Sequence, residues 1–307
     1  MLGRYRWTVN SSERRDGRGP LLAVALVALL TAGLTGTADH QRKASSPHAG
    51  EEADIVITVV YDNNPGEQGL VADWGFGCIV QGLPKTILFD TGARGDVLLK
   101  NMGKVGIKPG EIDVVVLSHI HWDHTGGLGD FLRQNNNVTV FMPAAFPERF
   151  KDHIRQAGAD LVESEKAEQV CPGASTTPVL GDAIAEQGLL LETAEGIAVI
   201  TGCAHPGIVS MARAAQETSG SLVYAVLGGF HMADASPAQI SITIEVLKEM
   251  GVRRAGPCHC SGDRTRRMMK EAFGEDYMEL GVGAQITFPK SEKGESGNQG
   301  SDAGACS

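Results

Sequence analysis

The 307-residue sequence predicts a mixed α/β chain of the α+β kind, and three observations carry that expectation. Short apolar runs alternate with helical stretches across residues 53–288, the pattern of packed sheet and helix layers. Hydrophobic residues make up 42% of the chain, too much for a disordered polymer and ordinary for a globular one. No linker or internal repeat interrupts the stretch, so one domain over residues 53–290 is the simplest organisation.

The elements follow in chain order. Residues 55–61 (IVITVVY) read as a buried strand, and residues 86–89 as a second that ends in Asp90-Thr91-Gly92. A helix is expected over residues 96–102, then strands over 113–117 and 138–141. Residues 189–193 and 197–200 form a hairpin around the turn Ala194-Glu195-Gly196. Helix 207–217, strand 222–227, helix 237–250, strand 254–258, helix 263–273 and strand 284–288 complete the pattern. Residues 62–76 and 143–188 show no readable motif and are expected to be loops that contact substrate.

The ends are of another kind. Residues 1–38 carry five arginines, then the apolar run LLAVALVALLTAGL, then Gly36-Thr37-Ala38. That is the layout of a secretory signal peptide. The run is shorter than the ~20 residues of a spanning helix, and an uncleaved N-terminal anchor is the alternative. Export to a periplasmic or extracellular location is therefore expected, with membrane contact only through this segment. Residues 39–52 read as a linker and residues 291–307 as a disordered Gly/Ser-rich tail. The formal net charge of −10 argues against nonspecific nucleic-acid binding, and 39 glycines without a G-X-Y period exclude collagen.

Six of the nine histidines stand at expected strand ends, where functional loops of α/β proteins converge. The strand over 113–117 runs into Ser118-His119-Ile120-His121-Trp122-Asp123-His124. In an extended segment His119 and His121 face one side and can share a metal, while Asp123 and His124 reach a second position as the chain turns. Thr125-Gly126-Gly127-Leu128 lets the chain turn into a helix. His205, His231 and His259 each close a later strand. His40 and His48 lie in the linker, and His153 lies in a charged helical stretch expected at the surface. Imidazole and carboxylate donors suit one or two ions of Zn, with Mn or Fe as alternatives.

With its His119-x-His121-x-Asp123-His124 motif followed by Thr-Gly-Gly-Leu, the sequence resembles the metallo-β-lactamase superfamily. Leu88-Phe89-Asp90-Thr91-Gly92, Gly202-Cys203-Ala204-His205-Pro206-Gly207, Gly228-Gly229-Phe230-His231 and Pro257-Cys258-His259-Cys260-Ser261-Gly262 extend the likeness to one branch. That branch includes dihydropterin-ribofuranosylaminobenzene-phosphate synthases. The resemblance implies a four-layer αββα sandwich with metal at one edge. It implies a first metal on His119, His121 and His205, and a second on Asp123, His124 and His259. Asp90 would tie down the loop that bears the motif, although a plain turn aspartate is an equal reading. The aspartate that bridges both metals in binuclear members has no clear counterpart here. Cys203 is either a thiolate ligand in its place or a small buried cysteine. His231 is a ligand, an acid/base, an anion contact or a core histidine. Cys258 and Cys260 are expected to point away from His259 into the sheet packing. No disulfide framework is suggested.

The resemblance implies hydrolysis of an ester, phosphodiester or related small-molecule substrate by a metal-activated water, with Asp123 and His231 taking part. The alternatives are a pterin-pathway synthase, against which an export signal counts, and a non-catalytic metal-binding or sensory module.

Overall fold

The computed structural model describes residues 54–291. The expected signal or anchor, the linker and nearly all of the tail lie outside the described residues. Among those described, no helix is long and apolar enough to cross a membrane.

Among the described residues, thirteen strands make two sheets. The first contains β1 (Ile55–Asp62), β2 (Phe76–Gln81), β3 (Ile87–Phe89), β4 (Val114–Val116), β5 (Thr139–Pro143), β6 (Asp160–Ser164) and β13 (Gln285–Phe288), in the order β13-β1-β2-β3-β4-β5-β6. The second contains β7 (Gln169–Cys171), β8 (Ala174–Thr176), β9 (Leu189–Thr193), β10 (Gly196–Thr201), β11 (Val223–Gly229) and β12 (Arg254–Cys258), in the order β12-β11-β10-β9-β8-β7. Both are mixed: β3 to β6 run parallel, as do β10, β11 and β12, and the remaining pairs are antiparallel.

Strand alternation builds the layers. Ile87 and Phe89 of β3 and Val114 and Val116 of β4 point between the sheets, where they meet Leu189, Leu191, Ala198 and Ile200. Leu88 and Val115 point outward beneath α1 (Gly95–Lys104), α3 (Leu128–Gln134) and α4 (Glu148–Ala157). On the opposite side, Leu190, Val199 and Val226 lie under α5 (Ile208–Ser219), α6 (Pro237–Glu249) and α7 (Asp263–Phe273). Strands buried on both faces read as continuous apolar runs, which is why they were legible. The result is the expected αββα sandwich.

Two expectations about the chain between these elements are corrected. The stretch 143–188 is not a loop: it holds α4, β6, β7 and β8. The stretch 62–76 is a loop only as far as Gly75, and β2 then begins at Phe76. A short run with an internal glycine is a weak strand signal. Gly77 belongs there because a Cβ on it would lie 3.0 Å from the Asp90 carbonyl oxygen on the neighbouring strand end.

Candidate metal centre

The chain gathers its chemistry at the C-terminal ends of the parallel strands of both sheets. Asp90 follows β3, and the segment Ser118 to His124 follows β4. Cys203 and His205 follow β10, His231 follows β11, and His259 follows β12. A four-residue helix α2 (Trp122–Thr125) turns Asp123 and His124 inward while leaving Trp122 exposed.

All six expected ligand residues come together. Donor atoms of His119, His121 and His205 lie within 4.8 Å of one another, and so do those of Asp123, His124 and His259. The His119 and His124 rings, one from each triad, are 4.2 Å apart between centroids. Cys203 joins His119 and His124 in a further group.

The hydrogen bonds fix how the imidazoles face. His119 Nδ1 lies 2.9 Å from Ser118 Oγ, His124 Nδ1 2.7 Å from Asp90 Oδ2, His205 Nδ1 2.8 Å from Glu186 Oε2 and His259 Nδ1 2.7 Å from Asn63 Oδ1. Ser118 Oγ donates to Asp90, so it accepts from His119. Each of these four rings thus presents Nδ1 to an outer partner and turns Nε2 inward, the arrangement outer partners impose on metal-ligating histidines. His121 is reversed: its Nδ1 lies 3.1 Å from His119 Nε2. The buried His259 Nε2 has no hydrogen-bond partner and stands 3.4 Å from Asp123 Oδ2. Acceptors converging without a donor between them fit a cation, and the imidazole, carboxylate and thiol donors suit a first-row transition metal.

Electrostatics agree at His119 and His121, whereas at His124 burial is outweighed by the Asp90 carboxylate, which raises that imidazole. Burial, then the neighbouring histidines, push the His119 imidazole well below its usual range, and burial lowers His121 too. Neutral rings are what a metal requires. Burial pushes the Asp123 carboxyl up, but His259 and His124 outweigh it and hold it well below the usual carboxylate range. Burial raises the Asp90 carboxyl, against His124 and Ser118, which favour its ionised form.

Asp90 is therefore more than a turn residue. Its Oδ1 accepts from the Ser118 amide at 2.7 Å, and its Oδ2 serves Ser118 Oγ and His124, so one buried carboxylate orients a histidine of each triad. Among the described residues, the non-glycine residues at positive φ are Asp90, Ala204, His231 and His259, all at this centre. Each such conformation costs on the order of 1 kcal/mol and persists because surrounding bonds over-determine it.

His231 is exposed, which removes the core-histidine reading; its ring lies 4.5 Å from that of His205. Two further expectations are corrected. Cys258 does point into the packing between the sheets, but Cys260 does not. Residues His259–Ser261 form a turn of 3₁₀ helix instead of an extended segment, which brings Cys260 Sγ to 3.2 Å from Cys203 Sγ. The glycines of the motif are also not there for the turn: Gly126 and Gly127 have ordinary helical φ. A Cβ on Gly127 would lie 2.2 Å from the Thr91 carbonyl oxygen, so close approach is the requirement.

Sequence reasoning missed Ser118, Asn63 and Trp74, and gave Glu186 no role. Glu186 is fully buried and accepts from the amides of Cys203, Ala204 and His205 as well as from the His205 ring. Its neighbour Gln187 bonds the Leu117 and Ser118 carbonyls, pinning the strand end that carries the motif. A Glu-Gln pair directly before a buried hairpin was the available signal. Trp74, half exposed, donates its indole N–H to Asp123 Oδ2 at 2.9 Å and lies 5.1 Å from the His259 ring.

Residues 80–259 match the family model of the metallo-beta-lactamase superfamily. The chain belongs to the metallo-beta-lactamase superfamily. It is 33% identical, over 252 residues, to a 7,8-dihydropterin-6-methyl-4-(beta-D-ribofuranosyl)-aminobenzene-5'-phosphate synthase of Methanocaldococcus jannaschii, covering 67% of this chain and 86% of that one. Among solved structures it is similar to Tm1679, a metal-dependent hydrolase of the beta-lactamase superfamily, with a TM-score of 0.64 and 26% identity over 76% of this chain and 98% of that one. YhfI from Bacillus subtilis shares the fold, with a TM-score of 0.57 and 16% identity over 76% of this chain and all of the other. Together with the clustered donors, this makes the chain a metallo-beta-lactamase-fold protein with a metal site.

Proposed function

We propose that this superfamily member is a metal-dependent hydrolase of a small ester, phosphodiester or related substrate. One observation carries the reading. Four imidazoles, each held at Nδ1 by a protein partner, direct their Nε2 atoms into one site that also holds Asp123. His119, His121 and His205 would hold one cation and Asp123, His124 and His259 a second, with Zn the favoured ion and Mn or Fe the alternatives. A bound cation supplies Lewis acidity and lowers the pKa of a water molecule it holds.

The chain's own groups do the rest. Asp123, anionic and oriented by the Trp74 indole, accepts a proton of the attacking water and fixes its direction. His231 stands exposed beside His205, where it meets the substrate's leaving group or its developing negative charge. The Cys260 side chain raises its pKa, which favours the proton-donating form. The substrate is a small molecule and not a nucleic acid, and the protein works after export or while anchored by residues 1–38.

A second reading, a pterin-pathway synthase, is favoured by the Methanocaldococcus relative and by two exposed indoles, Trp74 and Trp122, suited to a flat aromatic substrate. A panel of phosphodiesters, lactones, β-lactams and a dihydropterin substrate separates the two. Hydrolysis should vanish on chelation, return with added metal, and fall by at least about 100-fold in Asp123→Ala. Full hydrolysis by metal-free protein would overturn the proposal, and turnover confined to the dihydropterin would favour the synthase.

A further inference from the structure

The two cysteines that face each other in the centre have no part in the triads above. Cys203 Sγ lies 3.3 Å from His124 Nε2 and 3.2 Å from Cys260 Sγ. It falls into close groups with His119 and His124, with His205 and His231, and with His259 and Cys260. One sulfur thus adjoins both triads. Cys260 lies on the side of the second triad, with Cys203 and His259. The His231 backbone N–H points at Cys260 Sγ from 3.3 Å, as a donor does toward a thiolate. Both cysteines are buried.

We propose that Cys203 and Cys260 supply thiolate to the second metal position, so that this position selects soft or borderline cations over hard ones. The inference rests on the metal-site reading and adds to it a ligand class and a preference. A thiol needs no cation to be satisfied here: Cys260 S–H can donate to Cys203, and Cys203 S–H to His124 Nε2. That chain leaves the buried His259 Nε2 without a hydrogen-bond partner, 3.4 Å from the Asp123 carboxylate. A cation held by His259, Asp123, His124 and sulfur resolves that contact, with each thiol losing its proton to solvent. Thiolate favours Zn(II), Co(II) and Cd(II), whereas Mn(II) and Mg(II) prefer oxygen.

The test uses the full-length chain carrying Cys306→Ser, which removes a cysteine outside the described residues. The metal-free protein is titrated with Cd(II) and then with Co(II), uptake being counted by equilibrium dialysis and sulfur ligation by the ultraviolet charge-transfer band. The band should appear with uptake, fall by about half in Cys203→Ser and in Cys260→Ser, be lost when both are serine, and persist in His119→Ala. Cys203→Asp should restore uptake without the band and shift competition from Zn(II) toward Mn(II). Uptake by the parent protein with no sulfur band overturns the thiolate assignment while leaving the metal site intact, and needs no variant to fold. A band unchanged in both serine variants overturns it as well. No uptake of any cation overturns both this inference and the metal-dependent function.

Discussion

Asp90 and Glu186 show how a few buried carboxylates can set a whole centre. Each accepts several hydrogen bonds in a place that water does not reach, so removing the acceptor strands the donors. A stranded buried donor costs about 1–3 kcal/mol. Asp90→Ala leaves the Ser118 amide, the Ser118 hydroxyl and His124 Nδ1 without their partner. It should destabilise the domain by about 3 kcal/mol or more in denaturant unfolding, and weaken cation uptake at both triads. Glu186→Gln separates the triads. One amide oxygen still serves the Cys203 and Ala204 amides, but the amide NH₂ then faces the His205 N–H groups, donor against donor. Uptake at the position built on His205 should fall about 10- to 100-fold, as for other outer partners of ligands, while the position built on His124 is unchanged. Equilibrium dialysis with two resolved affinities checks this; equal losses at both positions would contradict it.

Helices and strands decide which of these residues could be read in advance. Strands β3, β4, β9, β10, β11 and β12 are buried on both faces and announce themselves as apolar runs. The histidines at their ends were therefore legible as a set. The partners were not. Asn63 and Trp74 sit in the loop between β1 and β2, and Glu186 stands before β9 with no periodicity around it. A carboxylate or amide that orients a ligand needs only proximity in space, and proximity across 196 residues, as between Asn63 and His259, leaves no mark in spacing. The misread of Cys260 has a similar origin: a turn of 3₁₀ helix after β12 rotates it by a face, and nothing in Cys-His-Cys signals that turn. Glycine was legible in number but not in purpose. A Cβ on Gly202 would lie 2.0 Å from Ser118 Oγ and 2.9 Å from Asp90 Oδ2. The end of β10 is thus packed directly against the network from the other sheet. Gly202→Ala should cost about 1–3 kcal/mol by overpacking and displace Ser118 from Asp90, so that cation affinity falls along with stability. A variant as stable as its parent, with unchanged uptake, would show that the sheets have more room there than this geometry allows.

The sandwich as a whole joins at its metal edge. The first sheet supplies Asp90, His119, His121, Asp123 and His124, and the second supplies Cys203, His205, His231 and His259. Each triad draws ligands from both, so a bound cation links two sheets that otherwise meet through the apolar layer between them. A ligand that binds the folded state alone stabilises it by mass action, about 2.7 kcal/mol per position at a free concentration 100 times the dissociation constant. For a domain of this size, 1 kcal/mol moves the melting temperature by about 2–4 °C. Chelation should therefore lower it by about 5–10 °C for each position that was filled. The Trp74 indole, bonded to Asp123, offers an independent readout. Its fluorescence should change on cation uptake, with a midpoint that follows the melting shift, and the change should disappear in Trp74→Phe. Melting that ignores the chelator, in protein shown by dialysis to have held metal, would mean that the apolar layer alone fixes the two sheets and that the metal edge adds nothing to their union.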